Sequence, residues 1–83
     1  FLEVTDEELL HGMSINFFAQ FRICQRIVPI MKEQGGGAIV NVSGATGIRV
    51  TSPPMLSSCT GPAKSAEIRF SKVLASELAP YKI

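Results

Sequence analysis

The segment "SSCTGPAKSA", residues 57–66, contains two side chains with the spacing of a chemical pair. Thr60 and Lys64 lie four residues apart, and on a helix residues i and i+4 share one face. Upstream, "NVSGATG", residues 41–47, closes a β-branched run with a serine and two glycines. Ser43 would be a hydroxyl at a strand tip, and the glycines would let backbone approach a ligand closely. Ligands of open α/β sheets bind beyond the carboxyl ends of strands, so a lysine early in the next helix could reach over the same cleft. Each piece alone has a plainer reading. The first is a strand-to-loop turn, and the second is a solvated surface lysine.

The elements that would position these groups are a long helix, a short strand, a loop and a second helix. Thr5 and Glu8 have capping-box spacing, which predicts a helix over about 6–33. Along it Leu10, Met13, Phe17, Phe21, Cys24, Val28 and Met31 recur at helical period, and Leu9, Ile23, Ile27 and Ile30 form a second apolar face. A helix apolar on two faces is expected to be covered twice, by a sheet and by a second subunit. Pro29 is expected to kink it, and the glycines at 35–37 to end it. "AIVNVS", 38–43, reads as a parallel strand buried on both faces. "GATGIRVTSPP", 44–54, reads as loop. A second helix of about 58–79 starts near Ser58 to Pro62, runs through Ala63, Ala66, Phe70, Val73, Leu74 and Leu78, and stops at Pro80. Together these predict an α/β fold with a doubly wound parallel sheet.

Composition narrows the function classes. At 83 residues the chain is one domain or part of one, and its 46% hydrophobic content is that of a folded segment. "FLEVTDEEL" reads as a loop feeding a helix and "LAPYKI" as a strand about to begin, so both ends are expected to continue into a larger fold. A net charge of +1 without a basic run argues against nucleic acid. The most apolar window, "INFFAQFRICQRIVPIM", holds Arg22 and Arg26, which argues against a membrane span. Cys24 and Cys59 lack metal-like spacing, so a reduced, cytoplasmic setting is expected, with Cys24 in core packing. His11 is a lone histidine, expected to be exposed.

In order and spacing, "INFFAQFRICQRIVPIMKEQGGGAIVNVSG" and "AKSAEIRFSKVLASELAPYKI" resemble the short-chain dehydrogenase/reductases over essentially the whole chain. The resemblance implies a Rossmann-like fold and hydride exchange between NAD or NADP and a small carbonyl or alcohol substrate. It implies a homodimer or homotetramer formed through the two long helices. In this family a tyrosine and a lysine one helical turn apart do the proton work, with an asparagine and a serine assisting. Carried onto this chain, the catalytic set is Asn16, Ser43, Thr60 and Lys64, and the cofactor-contacting set is Lys64, Thr60 and Asn41. Glu77 and Pro80 follow Lys64 at the family's distance.

Two positions depart from the family's pattern. Thr60 stands where the tyrosine is usual, and Gly44 where the serine is usual, with Ser43 one residue early. An aliphatic hydroxyl has no phenolate state near pH 10 to exploit. Tyr81 lies beyond the far end of the helix and cannot replace the phenol. Ser57, Ser58 and the Cys59 thiol remain as alternative proton carriers. Two readings therefore stand side by side: an oxidoreductase of this type, or a relative that binds cofactor or assembles without ordinary carbonyl reduction.

Overall fold

The computed structural model describes residues 1–50 and 57–83. Its first element is a helical rod built from α1 (Asp6–Met13), a π-helical stretch at Ser14–Phe18 and α2 (Ala19–Glu33). The rod starts where the capping box predicts. The Glu8 amide donates to the Thr5 hydroxyl at 3.1 Å, and the Thr5 amide donates to the Glu8 carboxylate at 2.9 Å. These reciprocal bonds cover two of the orphan amides every helix start leaves. α2 continues through Pro29. Pro29 and Gln25, whose carbonyl loses its usual donor there, are both exposed, so water can take the vacated bond.

The glycine run stops the rod by a defined route. Gly35 adopts φ +88°, a left-handed conformation open to glycine. Its amide donates to the Lys32 carbonyl, and the Gly36 amide to the Met31 carbonyl at 2.9 Å. This is the Schellman pattern of helix ends. The chain then passes through residues 38–44 to a 3₁₀ turn at Ala45–Gly47. The second helix, α3 (Thr60–Leu78), ends in a 3₁₀ turn at Ala79–Tyr81. Both long helices thus fall within about two residues of expectation. Residues 51–54 of the expected loop lie outside the described residues.

The expected sheet is not confirmed among the described residues. Residues 38–43 form no strand, and no strand occurs among the described residues. A strand exists through its ladder of backbone bonds to a neighbour, and no second segment among the described residues supplies one. Other bonds hold the segment. The Gly37 amide donates to the Lys82 carbonyl at 3.1 Å, the Asn41 amide group to the Ser71 hydroxyl at 2.8 Å, and the Lys64 ammonium to the Val42 carbonyl at 3.1 Å. The segment alternates: Ile39 and Asn41 are half-buried in a small cavity lined also by Ser71, Leu74 and Leu78 of α3, whereas Val40 and Val42 are 87% and 77% exposed. Only one of its faces is covered by this chain, not the expected two.

α3 packs against the rod at the π-helical stretch. Phe70 meets Phe17 and Phe21 at ring-centroid distances of 5.8 and 5.1 Å, and Cys24, Ala63 and Leu78 are buried. Burial elsewhere is thin, with Leu10, Ile23, Ile30, Val40 and Val42 all more than half exposed. Expressed alone, the 83-residue chain is expected to self-associate or to melt over a broad range. A sharp two-state thermal transition of a dilute monomer, measured by circular dichroism with sedimentation, would contradict that.

Candidate active site

α3 begins with Thr60, and Pro62 is accommodated in its first turn, where an amide would have no intrahelical partner. Thr60, Lys64 and Glu67 then fall at i, i+4 and i+7 on one face. The Lys64 ammonium donates to the Val42 carbonyl at 3.1 Å and lies 3.4 Å from the Glu67 carboxylate. Its side chain is 18% exposed and that of Glu67 is 0% exposed. Lys64 is therefore not a solvated surface lysine. It bridges the end of the 38–43 segment to a buried carboxylate.

Glycines make this approach possible. A Cβ on Gly47 would lie 2.9 Å from the Lys64 carbonyl carbon and 3.1 Å from the Ile68 side chain. A Cβ on Gly61 would lie 3.1 Å from the Thr46 carbonyl. The 3₁₀ turn thus sits directly on the first turns of α3, and the Ser65 hydroxyl donates to the Gly47 carbonyl across the contact. On the rod side, a Cβ on Gly12 would meet the Cys59 Cβ at 2.7 Å.

The remaining predicted residues divide into groups. Ser43 follows Val42 and is exposed beside the ammonium's acceptor. Asn41 commits its amide to Ser71, whose hydroxyl donates to the Glu67 carbonyl at 3.0 Å, tying the segment to α3. Asn16 lies in the π-helical stretch and donates to the Gly12 carbonyl at 2.9 Å; such stretches recur at functional sites. Thr60 is exposed and lines an open cleft of about 640 Å³ with Thr46, Arg49, Ser57, Ser58 and Cys59. Lys64, Ser43, Asn41 and Asn16 do not line that cleft. The structure therefore brings Lys64 to the Val42 carbonyl, not to any of the other predicted side chains, and gathers Thr60 with Ser57, Ser58 and Cys59 along a separate cleft.

Both cysteines are free, and burial pushes the Cys24 thiol above its ordinary range, which suits core packing. His11 is exposed, as expected. Among the described residues no cluster of histidine, cysteine and carboxylate could hold a metal ion, and no helix is long and apolar enough to cross a membrane. Sequence reasoning missed Glu67. Its signal was a carboxylate one turn after Ala63 and one before Phe70, breaking the apolar run of α3 on the side that carries Lys64.

Residues 1–83, the full chain, match the family described as short chain dehydrogenase. The chain belongs to the short-chain dehydrogenase/reductase family. It is 39% identical over 84 residues to a D-erythrulose reductase of Gallus gallus, covering 100% of this chain and 33% of that protein. It is 36% identical over 80 residues to a probable galactose dehydrogenase of Rhizobium meliloti, covering 96% of this chain and 30% of that protein. To dehydrogenase/reductase SDR family member 4 of Rattus norvegicus it is 34% identical over 85 residues, with 99% and 28% covered. The chain thus spans about a third of the length of these relatives or slightly less. No solved structure gives a significant match. Family membership implies a Rossmann-like fold, in which residues 38–43 would meet strand neighbours that the described residues do not supply.

The contact between Gly47 and Lys64 gives a direct test of the geometry. Gly47→Ala should push the 3₁₀ turn off α3, lowering stability by about 1–3 kcal/mol, as overpacking does. The loss should appear in the melting temperature of the protein carrying this segment. Gly44→Ala, whose built Cβ meets nothing nearer than the Thr46 hydroxyl at 3.9 Å, should be far milder.

Proposed function

We propose that this chain is the lysine-bearing segment of an NAD(P)-dependent oxidoreductase acting on a carbonyl or alcohol substrate. The observation that carries the reading is Lys64, seated at the Val42 carbonyl where an open α/β sheet would present its ligand. An ammonium has three N–H donors, and Val42 and Glu67 engage two, leaving one for a hydroxyl of a cofactor ribose. The residues present therefore fit NAD or NADP. Such a cofactor supplies or accepts the hydride, and this chain's groups would orient it and manage protons. Ser43, one residue beyond Val42, could donate to a substrate oxygen. The printed names of two relatives, a galactose dehydrogenase and an erythrulose reductase, support the carbonyl/alcohol class. Two free thiols support a cytoplasmic, reducing setting.

A second reading has its own observation. Thr60 and Gly44 stand where the family's tyrosine and serine are usual, so the protein could bind cofactor and assemble without ordinary carbonyl reduction. The exposed Leu9, Leu10, Ile23 and Ile30 of the rod support assembly as a homodimer or homotetramer through the long helices. Ile23→Glu is accordingly expected to reduce the sedimentation mass; an unchanged mass would remove the helices from the interface.

Cofactor titration and turnover separate the two readings. Lys64→Ala should weaken nicotinamide-cofactor binding, followed by fluorescence, in either case. Thr60→Tyr places a phenol one turn from the ammonium and should raise ketone reduction about 10²–10⁴-fold, the usual worth of general acid catalysis. Gly44→Ser alone should do less, and the pair should exceed the product of the singles because both act on one transition state. Unchanged cofactor affinity in Lys64→Ala, with no activity gained by Thr60→Tyr, would overturn this assignment of α3.

A further inference from the structure

We propose that Glu67 is the positioning residue of this site, its buried carboxylate fixing the Lys64 ammonium at the Val42 carbonyl and thereby setting affinity for the nicotinamide cofactor. The proposal rests on the oxidoreductase reading above for its second half only. Its first half is a statement about two side chains of α3.

Glu67 is 0% exposed, an unusual place for a carboxylate. Its neighbours at helical spacing are Ala63, Phe70 and Leu74, so a leucine would serve packing there without the cost of burying a charge. What the carboxylate gains is Lys64. Oε2 lies 3.4 Å from the ammonium, while Oε1 is buried and has no hydrogen-bond partner among the described residues. The free oxygen is a second acceptor, so the ammonium can stay held while its other bonds rearrange around a ligand. The Glu67 carbonyl also accepts the Ser71 hydroxyl, which accepts the Asn41 amide. The same residue is therefore tied to Val42 through Lys64 and to Asn41 through Ser71.

The consequence is preorganisation. A lysine has four rotatable side-chain bonds, and immobilising it when a ligand arrives reduces affinity. Held at two points beforehand, Lys64 would meet a ribose hydroxyl with its third N–H already placed. Glu67 acts through Lys64 and need not touch the ligand.

The test measures both halves in the protein carrying this segment. Glu67→Gln and Glu67→Leu are made in the native and in the Lys64→Met background. The Lys64 Nζ resonance is recorded by ¹⁵N NMR without cofactor, assigned by its disappearance in Lys64→Met, and NAD(H) and NADP(H) affinities are measured by fluorescence. A Lys64 ammonium signal protected from exchange in the native protein and lost in both Glu67 variants is expected. Affinity should fall about 3–10-fold with Lys64 present, the size of one immobilised long side chain. With Lys64→Met it should change by less than about twofold, because the effect passes through the lysine. Equal losses in both backgrounds would assign Glu67 a structural role and overturn the proposal, as would a Lys64 signal indifferent to Glu67. Should Glu67→Leu fail to fold, Glu67→Gln, which keeps the shape and removes the charge, decides alone. A protein that bound neither cofactor would overturn the oxidoreductase reading and with it the affinity half, and the Lys64 resonance would still decide the tether.

Discussion

The close seating of α3 is the constraint on which the other contacts depend. Gly12, Gly47 and Gly61 leave no room for a Cβ where α3 and its approach meet the rod and the 3₁₀ turn. Across the same surfaces the Lys64 ammonium donates to the Val42 carbonyl and the Ser65 hydroxyl to the Gly47 carbonyl. The aromatic contact of Phe70 with Phe17 and Phe21 follows from the same approach one turn further on. Local chemistry therefore comes after packing here. The side chains can do what they do because backbones are allowed to touch.

Segment 38–43 shows how such packing replaces a missing ladder. An extended chain must find partners for its amides and carbonyls, and in a sheet the neighbouring strands supply them. In this chain side chains of α3 and the Lys82 carbonyl provide part of that pairing. The bonds come from one direction, which is why Ile39 and Asn41 are half-buried while Val40 and Val42 point into the open. The exposed valines fit a Rossmann-like fold that continues past this segment on its uncovered side.

Helices were legible in the sequence because their signals are local. Thr5 with Glu8, the glycines at 35–37, and Pro62 with Pro80 each mark a boundary through bonds reaching no more than five residues. The strand was not realised because a strand is a relation between segments, and "AIVNVS" carries only half of one. Pro29 stays inside α2, where it and Gln25, whose carbonyl loses its usual donor, are both exposed. Lys64 was legible as a candidate by spacing, and its counter-ion was not. Glu67 occupies a position that helical periodicity assigns to the core, and periodicity does not say which buried charge has a partner.

That counter-ion bears on how the site can lose one function and keep another. The groups that hold Lys64 are a backbone carbonyl of residue 42 and a carboxylate one turn further along α3. Neither depends on the side chain at position 60 or 44. A tyrosine at 60 would use the lysine, but the lysine does not use the tyrosine to stay in place. On the proposed reading, holding a ribose hydroxyl and delivering a proton would therefore be separable on this helix. Replacing the acid by threonine removes a proton donor and leaves the ammonium, its tether and its backbone anchor intact. On that reading, changes at Thr60 and Gly44 would leave untouched the costly part of the site, a part-buried ion pair against a glycine-spaced contact.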